Sequence, residues 1–135
     1  MKILTLGQKL GRKECPYMRR WVLNCWLFSI RLHHWYSSDD SRNFHDHSWD
    51  FVGVVLQGRY WDIAPLRVEE MPAGKVFARR AKHTHWVKVD KGGCWTLLLT
   101  GPPYRKWGFW IKKATKIKWV KANKYFATYG EHPCE

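Results

Sequence analysis

Six of the seven histidines in this 135-residue chain fall into three close pairs: His33-His34, His45-Asp-His47 and His83-Thr-His85. Alternate residues of a β-strand project to the same side, so His45 and His47 can direct two imidazoles at one point. Imidazole binds Zn, Fe, Ni, Cu and Mn, and a site with three protein ligands keeps coordination positions open. We therefore predict a metal site on His45 and His47, with His85 as the third ligand and His83 as its alternative.

The pair His33-His34 is a weaker candidate for the same site. Adjacent residues of a strand face opposite sides, so at most one of these two imidazoles can look into a shared cavity.

In the segments around the histidines, apolar side chains recur with the two-residue period of β-strands. Residues 25–32 and 116–119 alternate between apolar and polar side chains, as half-buried strands do. Residues 51–56 form a continuous, β-branched apolar run that ends near Gly58, which is typical of a strand covered on both faces. The pair His45 and His47 thus lies just before a buried strand.

Turn-forming residues divide the remaining chain into short segments. Residues 86–89 and 94–100 are apolar and are separated by Asp90-Lys-Gly-Gly93, so we predict a hairpin here. The spacing of such segments is that of an all-β sandwich or barrel. A helical period is confined to the end of the chain, where residues 122–129 are predicted to form a short helix, and residues 1–17 are predicted to form an N-terminal arm.

The composition predicts one folded domain that spans residues 1–135, with its core at about 20–125. Apolar residues make up 45% of the chain and ten residues are Trp, which excludes global disorder. No apolar run approaches the roughly 20 residues of a spanning helix, and the N-terminal apolar stretch is too brief for a secretory signal. We therefore expect a cytoplasmic protein without membrane contact.

The charge is strongly positive and unevenly distributed. The chain has 24 Lys and Arg, 11 Asp and Glu, and a formal charge of +13. Seven acids lie within residues 39–70, whereas residues 91–130 hold nine Lys or Arg and no acid. One face should attract phosphates, nucleic acid or small anions, although a basic face that only aids solubility is an equal alternative.

The four cysteines, Cys15, Cys25, Cys94 and Cys134, are too far apart in sequence for a C-x-x-C motif. In a chain without a secretory signal we expect reduced thiols rather than a disulfide framework. Cys25 and Cys94 lie in apolar runs, which indicates small buried side chains and no nucleophilic role.

Two segments carry a resemblance to a known family. His45-Asp-His-Ser-Trp-Asp-Phe51, followed by Gly58, resembles the first motif of the cupin superfamily: H-x-H, a short gap, an acid and then Gly. Residues 75–87 are similar to the second cupin motif, with His85 at the position of its late histidine. Four further stretches extend the similarity to small single-domain cupins of bacteria and phages, over about residues 30–125: Ser38-Asp-Asp40, Gly58-Arg-Tyr60, residues 94–97 and residues 101–109.

The resemblance implies an all-β fold, the double-stranded β-helix or cupin jelly-roll barrel, with two sheets around a cavity and a metal near one mouth. It also implies a homodimer and, for a phage-encoded chain, a location in the host cytoplasm. The implied cofactor is one divalent metal, with Fe(II) favoured and Mn, Ni or Zn as alternatives.

The chain departs from the cupin motif at the acidic ligand. The usual place of a metal-binding Glu falls on Phe51, which cannot bind metal, and Asp50 points away unless the strand bulges. We rank a three-histidine site first, a site that includes Asp50 second, and a cupin that has lost its metal third.

Seven other residues are candidates for roles around the metal. Arginines would grip an anionic group through their planar guanidinium, tryptophans would contact the substrate, and tyrosines would supply a proton or a hydrogen bond. The candidates are Arg42, Arg59, Arg105, Trp49, Trp107, Tyr60 and Tyr104.

Two functions of different classes follow. The first is a metal-dependent enzyme that acts on a small anionic substrate, with Fe(II)-dependent, dioxygenase-like chemistry or metal-assisted hydrolysis. The second is a non-catalytic cupin that binds a nucleotide-like ligand or nucleic acid through its basic, Trp-rich surface. The sequence lacks a phosphate-binding P-loop, a dinucleotide-binding glycine turn and a G-x-S-x-G motif, so P-loop hydrolysis and Rossmann-type hydride transfer are disfavoured.

Overall fold

The computed structural model describes residues 2–113, 115–131 and 133–134. Within these ranges the chain forms ten strands and one helix. In chain order they are β1 (Leu4–Arg12), β2 (Cys15–Cys25), β3 (Phe28–Trp35), β4 (Phe44–His45), β5 (Phe51–Ala64), β6 (Arg67–Pro72), β7 (Val76–Arg79), β8 (Trp86–Thr100), β9 (Gly108–Lys113), β10 (Lys116–Lys121) and α1 (Ala122–Tyr129).

The strands form two antiparallel sheets. The larger sheet has the order β1-β2-β3-β8-β5-β6, and β7 also pairs with β5. The smaller sheet has the order β10-β9-β4. Side chains from both sheets line one cavity, so the fold is the all-β jelly roll predicted from the sequence.

Alternation along the central strands places one set of side chains inside. Phe51 and Val55 of β5 face inward, as do Cys94 and Leu98 of β8, and all four are buried in the same apolar cluster. A smaller cluster between β9 and α1 contains Phe109, whose ring stacks on Tyr125 at a centroid distance of 3.8 Å. These two clusters flank the cavity and fix the relative position of the sheets.

The predicted hairpin at residues 86–100 is wrong, because these residues form the single long strand β8. Both of its halves pair with β5: Trp86 lies opposite Ile63, and Cys94 lies opposite Gly58. Gly58 and Gly93 have positive φ angles, and a Cβ atom on Gly93 would overlap the carbonyl oxygen of Trp35. Gly58 of β5 and Gly93 of β8 therefore bend their strands where neighbouring strands of the same sheet approach closely, and they do not reverse the chain.

The two ends of the chain differ in how well the sequence predicts them. The expected N-terminal arm, whose structure the sequence left open, contains strand β1, which pairs with β2 from Leu4 to Arg12 and packs Leu10 against the core. The predicted C-terminal helix is confirmed with the same bounds, 122–129. In the described part of the chain, no helix is long and apolar enough to cross a bilayer.

A disulfide joins Cys15 to Cys134, with their Cα atoms 5.7 Å apart. The expectation of four reduced thiols is therefore wrong for this pair, whereas Cys25 and Cys94 are free. Sequence spacing gives no hint of the link, because 119 residues separate the two sulfurs. The two cysteines meet because the chain that follows α1 runs back to the β1–β2 turn. There Arg12 donates a hydrogen bond to the backbone carbonyl of Glu131.

We predict that Cys15→Ser lowers the free energy of unfolding by about 2 to 5 kcal/mol, because a cross-link across so long a loop restricts the unfolded chain strongly. Urea unfolding followed by circular dichroism measures the change, with and without reductant. Cys25→Ser is the matched control, since its thiol is free. Equal stability of the oxidised protein and Cys15→Ser would contradict the prediction.

Candidate metal centre

The H-x-H segment is held by backbone hydrogen bonds on both of its sides. His45 and His85 form a β-bridge, in which each backbone N–H donates to the other's carbonyl at 2.9 Å. The His47 N–H donates to the Ala81 carbonyl at 2.9 Å, and His45 lies opposite Phe109 of β9. The segment therefore ties the smaller sheet to the chain that leads into β8.

This bridge brings three imidazoles together. The ring centroids of His45 and His47 are 5.3 Å apart, and each lies 4.9 Å from the His85 ring. The ligand atoms of the three rings all lie within 4.8 Å of one another. The three residues chosen from the sequence thus converge on one point from two separate segments.

Two of the rings are oriented by neighbouring oxygen atoms. The Nδ1–H of His47 donates to the carbonyl oxygen of His83 at 3.1 Å. The Nδ1 atom of His85 lies 3.1 Å from Oδ2 of Asp62. Contacts of this kind place the proton on Nδ1 and leave the lone pair of Nε2 available for a metal.

Burial and mutual proximity keep the three imidazoles neutral. Burial lowers the pKa of His45 and of His47 well below the ordinary value, and the neighbouring His85 lowers both further. Burial also lowers the pKa of His85, against the opposing effect of Asp62. Neutral imidazole is the form that binds a metal, so the electrostatics favour coordination.

His83, the alternative third ligand, lies on the far side of Asp62. Its Nε2 atom is 3.0 Å from both carboxylate oxygens of Asp62, and these two residues form a second potential ligand group with His85. Burial raises the pKa of Asp62, but hydrogen bonds from His83 and His85 outweigh burial, so the net pKa lies below the ordinary value. His83 therefore supports the carboxylate that orients His85, and His85 joins His45 and His47.

Asp46, between the two histidines of the motif, faces the opposite way and is almost fully buried. Its Oδ1 accepts the backbone N–H of Gly108 at 2.7 Å. Its Oδ2 accepts bonds from Arg105 at 3.1 Å, Trp119 at 3.0 Å and Trp110 at 3.3 Å. This carboxylate anchors the H-x-H segment to β9 and β10 from behind the site.

Another carboxylate, Asp39, lies beside the cluster on the cavity side. Its Oδ2 is 3.6 Å from Nε2 of His45, and its Oδ1 accepts the backbone N–H of Val87 at 2.8 Å. Burial raises the pKa of Asp39 well above the ordinary carboxyl value.

The histidines open onto a cavity of about 400 Å³ inside the barrel. Aromatic side chains form much of its wall, and three of the residues proposed from sequence are among them: Trp49, Trp107 and Tyr60. A volume of this size accommodates a small organic molecule next to the metal ligands.

No protein-family model matches this sequence, and no curated protein matches it either. The backbone does match solved structures of cupin type. The crystal structure of Fe(II) HppE matches with a TM-score of 0.58 and 12% identity, over 69% of this chain and 54% of that chain. KdgF from Halomonas sp. matches with a TM-score of 0.50 and 16% identity, over 66% of this chain and 81% of that chain.

A structure of the DMSP lyases RdDddP and RnDddQII matches with a TM-score of 0.53 and 13% identity, over 62% of this chain and 47% of that chain. The chain has the cupin fold. It spans only about half the length of HppE and of the lyase chain. At these identities the likeness establishes the fold alone.

In this chain Asp50 does not face the histidines. Its Oδ1 accepts the backbone N–H of Ala81 and the hydroxyl of Tyr104, both at 2.7 Å, and Arg80 lies 3.5 Å from its Oδ2. Phe51 takes the inward direction instead, with its ring 4.9 Å from the His47 ring. Residue 50 thus points away because strand neighbours face opposite sides, and the alternative ligand set that includes Asp50 is not formed.

The three arginines proposed to grip an anion lie elsewhere, as does Tyr104, which is 57% exposed. Arg42 donates hydrogen bonds to the carboxylate of Asp40 and to the backbone carbonyls of Tyr129 and Gly130 at the end of α1. Arg59 is half exposed and pairs with Glu70 and Asp90. Arg105 is bonded to Asp46 and to the Ala81 carbonyl. The described residues that line the cavity do not include these four side chains, which are Arg42, Arg59, Arg105 and Tyr104.

Two other arginines and one histidine line the cavity in their place. They are Arg20 of β2 and Arg31 and His33 of β3. The alternation of residues 25–32 already indicated that Ser29 and Arg31 share a face, but it could not tell which face is inside. Of the adjacent pair, His33 faces the interior and His34 stacks on Trp95 at a centroid distance of 4.1 Å, in agreement with the expectation that only one looks inward.

The donor set fits a divalent transition metal. Three neutral imidazoles, two of them oriented by neighbouring oxygen atoms, suit Fe, Mn, Ni or Zn, and the adjacent cavity leaves coordination positions accessible. The structure therefore supports a divalent metal without selecting its identity.

We predict that Asp46→Asn lowers the free energy of unfolding by about 2 to 4 kcal/mol, because Arg105 and the indole N–H groups of Trp110 and Trp119 lose a buried, charged acceptor. Thermal unfolding of the metal-free protein measures this loss. Metal affinity, measured by competition with a chelator, should fall as well, because the H-x-H segment loses its anchor. Arg59→Gln, which removes an exposed ion pair, is the control, and a loss no larger than that control would refute the anchoring role.

Proposed function

We propose that this protein is a metal-dependent cupin enzyme that holds one divalent ion, preferably Fe(II), and transforms a small organic molecule in the barrel cavity. The observation that carries the proposal is the convergence of His45, His47 and His85 on the wall of that cavity. A metal site built only for structure is usually closed by four protein ligands, whereas three imidazoles beside a cavity leave room for a substrate.

Two further observations support this proposal. The ring orientations set by the His83 carbonyl and by Asp62 are those expected around functional metals. The solved structures with this fold include Fe(II) HppE and DMSP lyases, so the same architecture occurs in an iron-containing protein and in lyases. Ferrous iron is our preferred ion because imidazole ligands bind iron and because one solved structure with this fold, that of HppE, contains Fe(II).

When bound, such an ion supplies Lewis acidity and, in the case of iron, electron transfer to dioxygen. The chain's own residues contribute the surroundings. Trp49, Trp107 and Phe51 line the cavity with aromatic surface that excludes water from the substrate. Tyr60 lies in the wall too, and burial raises the pKa of its phenol above the ordinary value, so it acts as a neutral hydrogen-bond donor.

We predict about one metal ion per chain in protein purified without chelator, and loss of that ion in a His45→Ala, His47→Ala double variant. Elemental analysis, with anaerobic Fe(II) addition as a second arm, measures both. His83→Ala should keep the ion but bind it about 10-fold more weakly, since it removes only the support of Asp62.

His34→Ala is the matched control, because that ring stacks on Trp95 outside the cavity. Equal metal content in the double variant and in this control, or no metal even after Fe(II) addition, would refute the proposal.

A second candidate function, nucleic-acid binding, is favoured by the surface of β9 and β10. Six lysines lie in or beside these strands: Lys106, Lys112, Lys113, Lys116, Lys118 and Lys121. No ion pair joins any of them to an acid within the described ranges. Contact with Lys106 lowers the pKa of Lys121, which shows that positive charges are crowded here.

If this surface binds nucleic acid, its affinity for duplex DNA should fall about 1,000-fold when salt is raised from about 50 to about 200 mM, because about six phosphate contacts release counterions. Fluorescence anisotropy measures this dependence. A Lys112→Glu, Lys118→Glu variant should abolish binding, whereas Lys88→Glu on β8 is the control. Affinity that is absent or independent of salt eliminates this function.

A further inference from the structure

Three polar side chains form a patch on the inner face of the larger sheet. Arg20 of β2 lies directly opposite His33 of β3, and Arg31 lies opposite Val22, one inward position further along. All three polar residues line the cavity that contains the metal ligands. The register therefore concentrates two positive charges and one imidazole on one wall of a largely aromatic cavity.

Neither guanidinium in this patch has an acidic partner. Arg20 donates from Nε to Gln8 at 2.9 Å, and Arg31 donates from Nε to the Ser29 hydroxyl at 3.1 Å. Among the residues that the structure describes, no carboxylate lies within ion-pair distance of either one. Burial, together with the like charge of Arg20, lowers the pKa of Arg31 to about 10. Two partly buried cations without a counterion are costly unless an anion joins them.

The third member of the patch, His33, is only 7% exposed, and neither of its ring nitrogens has a hydrogen-bond partner within the described chain. Burial, with Arg31 and Arg20, lowers its pKa to about 3, so the ring is neutral and offers one N–H. Buried polar atoms in native proteins are nearly always hydrogen-bonded. An unpaired imidazole that faces a cavity therefore indicates a ligand.

The patch is close to the metal ligands. Trp49 connects the two, because its ring lies 4.9 Å from the guanidinium carbon of Arg31 and 5.8 Å from the His47 ring. A small molecule held at Arg31 thus lies one aromatic side chain away from the proposed metal.

Four acids line the cavity, Asp39, Asp40, Asp46 and Glu131, and in the described part of the chain none of them forms an ion pair with Arg20 or Arg31. Asp39 accepts the Val87 N–H and lies beside His45. Asp40 forms a bidentate pair with Arg42, with a shortest distance of 2.7 Å.

We propose that Arg20, Arg31 and His33 bind the doubly charged oxyanion of a small organic substrate. This inference rests on the proposed function, because it assigns the substrate class of the same cavity. Two guanidinium groups and one neutral N–H match a dianion in charge and donor number, and the Trp49 ring lies between Arg31 and the metal ligand His47. Phosphoryl, phosphonate and dicarboxylate groups share this chemistry.

The test measures anion binding to metal-free protein, so that coordination to a metal cannot contribute. Inorganic phosphate, succinate and acetate are titrated by calorimetry into chelator-treated protein. We expect phosphate or succinate to bind at least about 10-fold more tightly than acetate, because only they match two cations. Tighter binding of phosphate indicates a phosphoryl or phosphonate substrate, whereas tighter binding of succinate indicates a dicarboxylate substrate.

Variants then connect this binding to the patch. Arg31→Gln and Arg20→Gln should each weaken binding of the preferred dianion by about 10- to 100-fold, and Arg31→Lys should weaken it less. Both Gln variants should unfold at the same temperature as the parent or higher, since they remove an uncompensated charge. Arg59→Gln, at an exposed ion pair, should leave binding unchanged.

The inference is overturned if acetate binds as well as both dianions, or if the Arg31 and Arg20 variants bind like Arg59→Gln. Should Arg31→Gln fail to fold, Arg20→Gln and His33→Asn decide the outcome in the same way. Metal content is measured separately on every variant. If an arginine variant loses anion binding but keeps its metal, the result supports the anion subsite. If the protein binds anions but holds no metal, the result refutes the enzyme proposal and leaves the anion subsite standing.

Discussion

The site depends on the pair of backbone hydrogen bonds between His45 and His85. This two-residue bridge is where the smaller sheet meets the chain that enters β8, and both imidazoles leave it toward the cavity. Because the backbones are locked to each other, the distance between the two side chains is set by the pleat and does not depend on flexible loops. His47 joins them through the same alternation, with its backbone held by Ala81.

Alternation within the H-x-H segment separates metal chemistry from structural support. Asp46 turns its carboxylate away from the metal ligands, where backbone, guanidinium and indole donors saturate it. Asp62 acts from another direction and orients His85. A buried carboxylate is stable only with such complete hydrogen bonding, so each acid also restricts the backbone that carries the ligands. The cupin fold supplies the strands, and these two acids fix the histidines upon them.

The cavity has two chemically different walls. The three metal ligands lie on one side, and the larger sheet contributes Arg20, Arg31 and His33 on another. Such a division suits a small molecule that is bound at its charged end and reacts at its other end. Holding the molecule in a fixed orientation lowers the entropic cost of the reaction. The solved structures that match this chain share its framework.

The sequence by itself determined everything that follows from alternation along one strand. That rule placed His45 and His47 together, turned Asp50 outward and allowed only one residue of His33-His34 to face inside. It could not choose partners across the barrel. The anchors of Asp46, the contact of Asp62 with His85 and the ion pairs of Arg42, Arg59 and Arg105 therefore became known only from the tertiary structure. Periodicity is a local property of the backbone, whereas the neighbours of a side chain depend on how distant strands pair and on where the two sheets close.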